Sequence, residues 1–209
     1  MVFLGFGFHF RVTGRGTLHC QRCGGDREYR MCAGWRWLHV LFIPVVPMDR
    51  IVEHVQCTTC GTRYRVEVLA MPTAAQMRTA LPAGTRAAVT AMLRAAGEDS
   101  SPAARAGAID AVRLAGLADY DDAAVTADLA RDEEDAAAEL RDLLGTLALQ
   151  LIMPAHEWFL ADIVRVGLAD GQLSDAERAA ARRIAACLGL TPAQAHGVIW
   201  LTEESAAAG

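Results

Sequence analysis

Lysine is absent: all 20 basic residues of the 209-residue chain are arginine. This reads as a bias towards G- and C-rich codons and not as a binding device. Aromatic residues are scarce, at 6%, while the apolar share reaches 53% and is rich in alanine. A core built this way uses small side chains, and alanine favours helix over every other state. Long hydrophobic runs are also missing. The uncharged apolar stretches, residues 37–48 and 143–156, each contain proline and fall short of the roughly 20 residues that a spanning helix needs. Residues 1–10 lack the basic start and small-residue cleavage site of a secretory leader. The expectation is a soluble cytoplasmic protein, with peripheral attachment at the inner face of the membrane as the alternative.

Charge is unevenly distributed. Residues 1–70 carry nine arginines against five acidic residues, a formal +4, and residues 71–209 carry eleven against twenty, a formal −9. An excess of four is too weak to argue for nucleic acid on charge alone.

The chain divides by pattern. In residues 1–70, Leu4, Phe6, Phe8, Phe10 and Val12 alternate with small or polar residues, and residues 63–68 alternate again, so short strands are expected. The character changes at Met71-Pro72-Thr73. Beyond it seven helices are expected, near 84–96, 102–115, 121–131, 133–151, 155–169, 175–188 and 192–202, with a short one at 74–81. Ser174-x-x-Glu177 is a capping box, and Thr191-Pro192 an N-cap followed by proline at the first helical position. Residues 95–117 and 168–190 form a weak repeat offset by 73 positions. The expected fold is therefore a multi-domain α+β chain: a small all-β ribbon (1–70), a linker with a short helix (71–84), and an all-α bundle (85–205) with a weak pseudo-twofold repeat.

Six cysteines are present, and four form two C-x-x-C-G units, Cys20-Gln-Arg-Cys23-Gly24 and Cys57-Thr-Thr-Cys60-Gly61. Two thiolates at this spacing bind one ion on a tight turn, and the glycine supplies the positive φ that the turn needs. Paired units in a reducing compartment favour a metal over disulfides. Zinc suits four thiolates because it is borderline-soft and redox-inert, and a closed set of four leaves no open position for substrate. Cys20, Cys23, Cys57 and Cys60 are thus expected to hold a structural zinc ion. An iron–sulfur cluster is the competing occupant.

Between the knuckles runs the most apolar segment, residues 35–48. Its prolines, Pro44 and Pro47, are expected to end strand pairing and form a turn. One reading buries the segment. The other makes Trp35, Trp37, Phe42 and Ile43 an interface, flanked by Arg36 and Arg50, for a membrane surface or another protein. The blocks HCQRCGGDREYR, RWLHVLFIPVVPM and EHVQCTTCGTRYRVEVL resemble a small bacterial zinc-ribbon family. More distantly they resemble LITAF-like domains, and that resemblance implies a hydrophobic insert that enters membranes.

The stretch Val164-Arg-Val-Gly-Leu-Ala-Asp170-Gly171-Gln-Leu-Ser-Asp175-Ala-Glu177 resembles the TerB-like tellurite-resistance family, whose members carry an A-D-G-x-x-S-x-x-E turn between helices. The resemblance implies a helical domain in stress response and a divalent-cation site, calcium or another, at Asp170, Asp175 and Glu177. Read from the residues alone, Gly171 ends one helix while Ser174, Asp175 and Glu177 begin the next.

No G-x-S-x-G, phosphate loop or H-E-x-x-H occurs, so no catalysis is expected, and the sequence identifies no small-molecule substrate. The leading expectation is a non-enzymatic zinc-binding adaptor or sensor with protein partners. A membrane-surface tether and a nucleic-acid-binding ribbon regulator are the alternatives, the last disfavoured by charge.

Overall fold

The computed structural model describes residues 4–40, 43–97 and 100–208. It is a small antiparallel sheet followed by seven helices, the α+β arrangement expected. The chain resolves into two compact units, residues 1–76 and 77–209.

The first unit is a meander of four strands in the order β1-β2-β3-β4. They are β1 (Leu4–Cys20), β2 (Gly25–Val40), β3 (Ile43–Cys57) and β4 (Arg63–Tyr64). The first three are long rather than short. Pro44 and Pro47 lie within β3, opposite His39 and Trp37, instead of ending it. Two features accommodate them. Over this stretch β3 is an edge, since β4 pairs only with Val55 and Gln56. The β2–β3 register also shifts between Trp35 and Trp37 and again between Leu38 and His39, so the missing N–H groups fall where pairing is already irregular. The alternation at 63–68 does not extend β4: Val66–Ala70 winds into a 3-10 helix. Leu18, Cys20, Val55 and Cys57 form the small core of this unit, with Tyr29, Tyr64, Val68 and Leu69 packed around it.

The helices are α1 (Ala74–Ala96), α2 (Pro102–Ala115), α3 (Asp122–Leu129), α4 (Glu133–Ala148), α5 (Met153–Gly167), α6 (Asp175–Cys187) and α7 (Pro192–Ala207). The separate helices read at 74–81 and 84–96 are one, with Pro82 inside. Proline costs a helix one hydrogen bond, but Pro82, Gly84, Thr85, Ala88 and Val89 are all buried along this helix, and their packing holds it continuous. At its start Thr73 and Gln76 form a capping box: Gln76 N–H donates to Thr73 Oγ1 (3.2 Å) and Thr73 N–H to Gln76 Oε1 (2.8 Å).

The second core is large and contiguous. It runs from Val89, Met92 and Leu93 through Leu144, Leu147, Leu160 and Ile163 to Ile184 and Leu188. The 73-residue repeat is visible in its capping. Ser101 and Ser174 cap α2 and α6, and Gly116 and Gly189 follow them at φ 121° and 75°. Buried Asp128 is the polar anchor. It accepts from Arg86 Nε (2.6 Å), from Arg86 Nη2 and from Tyr120 Oη (2.8 Å). Burial raises the Asp128 pKa, but the Arg86 and Tyr120 bonds outweigh it and hold the carboxyl below its ordinary value. Among the described residues, no helix is long and apolar enough to cross a membrane.

Candidate metal centre

The two knuckles have matching backbones. In the first, Cys23 N–H and Gly24 N–H both donate to Cys20 O (3.1 and 2.9 Å). In the second, Gly61 N–H donates to Cys57 O (3.0 Å). Gly24 and Gly61 have φ of 65° and 70°, the left-handed turn that only glycine adopts without strain. A side chain in either place would be strained by that φ. The second knuckle is fastened to β2, since Thr58 donates through both N–H and Oγ1 to Glu28 O (2.9 and 3.0 Å).

These turns bring Cys20, Cys23, Cys57 and Cys60 together, with all four sulfur atoms within 4.8 Å of one another. Among the described residues this is the one such gathering of three or more potential ligands. Cys20 Sγ and Cys60 Sγ are 3.7 Å apart. A tetrahedral zinc with bonds of about 2.3 Å sets its sulfurs about 3.8 Å apart, so the donor set has the size to hold a metal ion. Cys20 and Cys57 are fully buried, and Cys23 and Cys60 partly so.

The surrounding groups tune the thiols unequally. Tyr64 Oη lies 3.1 Å from Cys20 Sγ, and its phenol pulls the Cys20 pKa down against the effect of burial. Thr62 Oγ1 lies 3.2 Å from Cys60 Sγ, and that hydroxyl with the Thr62 backbone lowers the thiol to about 6. Cys23 moves the other way, pushed up to about 12 by Cys60 and by burial. A bound cation would favour the deprotonated form of all four thiols. His19 and His54 do not join the donor set. His19 Nδ1 lies 3.3 Å from Asp26 Oδ1, and the His54 ring packs edge-on against Phe10.

Asp26, within the CGGDR block, had no role assigned from sequence. Its carboxylate accepts from Ala74 N–H (2.9 Å) and Ala75 N–H (3.1 Å), the first residues of α1. The Ala74 bond is the main cause of its lowered pKa. A separation of 48 residues gives this contact no local signature.

The other expected residues are placed as follows. Trp35 and Trp37 are half-buried on β2, and the Trp37 ring meets His9 edge-on. Ile43 is 65% exposed. Phe42 lies outside the described residues. The Asp170 turn is not gathered into a ligand cluster. Glu177 is buried, its Oε2 accepting from Ser174 N–H at 2.7 Å while Ser174 Oγ accepts from Glu177 N–H. Asp175 is exposed beside Arg178 (3.7 Å), and Asp170 is exposed. In the other half of the repeat Ala104 occupies the position of Glu177, buried in the same way. Position three of each helix faces the core, which explains why one carboxylate there is turned back to cap.

The model of the family described as tellurite resistance protein TerB matches residues 86–198. The chain belongs to that family. The TerB region begins inside α1 and ends inside α7, so it is the helical unit, and the cysteine cluster lies outside it. No curated protein and no solved structure matches the chain.

Proposed function

We propose that this TerB protein is a non-enzymatic adaptor or sensor of the tellurite-resistance, stress-response type. Its N-terminal ribbon is folded around one structural zinc ion, and the ribbon and the helical unit serve as docking and sensing modules in the cytoplasm. The observation that carries the reading is the donor set: four cysteine sulfurs within 4.8 Å of one another, two of them fully buried. Sulfur donors at this geometry select zinc among the common divalent ions, and four of them fill its coordination sphere. A filled sphere assigns the ion to the fold and not to chemistry. The TerB match to the helical unit supports the stress-response setting.

The test has two arms. Elemental analysis of protein purified without added metal is expected to give one zinc per chain, and none for Cys57→Ser with Cys60→Ser. A tellurite-sensitive bacterial host expressing the wild type is expected to gain resistance that this double variant does not give. Equal protection by both would remove the ribbon from the function.

A specific feature favours membrane-surface tethering as a second reading. Phe10, Val12, Ile43 and Val46 are all about half exposed or more along the strands away from the knuckles, an unusual concentration for so small a sheet. Liposome co-sedimentation separates the readings. Wild type pelleting more than Ile43→Ser with Val46→Ser supports the tether, and equal pelleting rejects it.

A further inference from the structure

The helical unit contains a cleft that neither the zinc ribbon nor the acidic turn accounts for. Its volume is about 430 Å³, within the range of about 300–1,000 Å³ typical of small-ligand sites. One wall is α1, which presents Ala83, Ala87, Ala91 and Ala95 at a four-residue spacing that aligns them on one face. The opposite wall is α4, with Ala136, Ala137, Leu140 and Leu143. The alanine side chains are too short to fill the space between the helices, and the result is a slot lined by alanine on α1 and by alanine and leucine on α4.

The polar groups of the cleft are not balanced. Arg86 is paired with Asp128, and Arg131 with Glu139. Arg94 has no carboxylate partner among the described residues. Its Nη2 donates to the main-chain oxygens of Asp128 (2.9 Å) and Arg131 (2.7 Å) at the end of α3, and its Nε–H is buried without an acceptor. Arg183, from α6, is exposed at the cleft and has no acidic partner among the described residues. Among the described lining residues, the carboxylate not paired with an arginine is Glu133, in the first turn of α4, where the helix dipole already favours it. The cleft therefore combines a slot for an apolar body with a net positive charge among its described lining residues.

We propose that this cleft binds a small monoanionic amphiphile, of the class of a medium-chain carboxylate. The alkyl portion lies between the alanine face of α1 and the alanine and leucine side chains of α4, and the carboxylate is held by Arg94 and Arg183. The inference rests on the cleft alone and stands whether or not the ribbon holds zinc. It also differs from the acidic turn in the sign of its ligand.

The test is isothermal titration of the full-length protein with octanoate, 1-octanol and octylamine. Octanoate is expected to bind one per chain, about tenfold or more tighter than octanol, the ratio given by one charge-assisted hydrogen bond. Octylamine is expected not to bind. Ala91→Leu fills the slot and is expected to abolish octanoate binding with helical circular dichroism retained. Arg183→Ala, an exposed site that leaves the fold intact, is expected to weaken octanoate about fivefold without affecting octanol. Absence of octanoate binding at millimolar concentration overturns the proposal. So does equal affinity for octanol, or a folded Ala91→Leu that binds as the wild type does. If Ala91→Leu unfolds, unchanged octanoate affinity in Arg183→Ala overturns it instead.

Discussion

The phenol of Tyr64 lies 3.1 Å from the sulfur of Cys20, so a residue of the shortest strand reaches back to a ligand 44 positions earlier. The contact favours the Cys20 thiolate. Such outer partners commonly change metal affinity by about 10–100-fold. Tyr64→Phe is expected to keep the ribbon folded and to weaken zinc about tenfold in competition with a chromogenic chelator. Unchanged affinity would show that the phenol packs without tuning.

The knuckle glycines make a separate claim about the backbone. Gly24 has open space where a Cβ would stand, so any cost of Gly24→Ala comes from its φ of 65° and not from a clash. The expected loss is about 1–2 kcal/mol in the zinc-bound ribbon. Gly14→Ala, whose Cβ would make only ordinary contact with Met31, is the control and is expected to lose less. Equal losses in denaturant titration would contradict the assignment.

Asp128 ties α1 to α3 inside the helical unit. Its loss leaves the Tyr120 hydroxyl and the Arg86 guanidinium without their acceptor, and Asp128→Ala is expected to cost about 3 kcal/mol. The sign of the pH effect follows from the lowered pKa of Asp128. The contribution is present above the ordinary carboxylate pKa of about 4 and is lost as pH falls through the lower folded value. The gap in melting temperature between wild type and Asp128→Asn should therefore be widest near neutrality and narrow in acid. A gap that widens in acid would reverse the assignment.

Glu177 provides a test of what the acidic turn does. Because its carboxylate closes the Ser174 capping box, Glu177→Ala should cost about 1 kcal/mol, whereas Glu177→Gln should keep most of the cap. Thermal unfolding checks both. If the two substitutions are equally harmful, the charge itself matters and the capping account fails.

Much of this was legible because local chemistry carried it. The C-x-x-C-G spacing specified both the turn and the glycine φ, and Ser174-x-x-Glu177 specified its helix start to the residue. Repetition offset by 73 aligned Ser101 with Ser174 and Gly116 with Gly189 because capping is local too. What sequence patterns did not show depends on neighbours distant in the chain. Pro44 and Pro47 mark breaks in a central strand, but at an irregularly paired edge they sit inside β3. Pro82 marks a helix boundary unless burial holds the helix together, as it does in α1 from Pro82 to Leu93. The Asp26 contacts to Ala74 and Ala75, and the cleft between α1 and α4, arise from tertiary placement and leave no periodic trace.

Site-resolved hydrogen exchange before and after zinc removal bears most directly on the central claim that four thiolates hold one ion and the ion holds the ribbon. The ribbon core is only a handful of side chains around the sulfurs, whereas the helical core is separate and extensive. Zinc binding in small zinc domains is worth about 10–16 kcal/mol. With excess chelator, β1, β2 and β3 are predicted to lose protection while α2 through α7 keep theirs. Protection retained in all three strands of the metal-free protein would contradict the account.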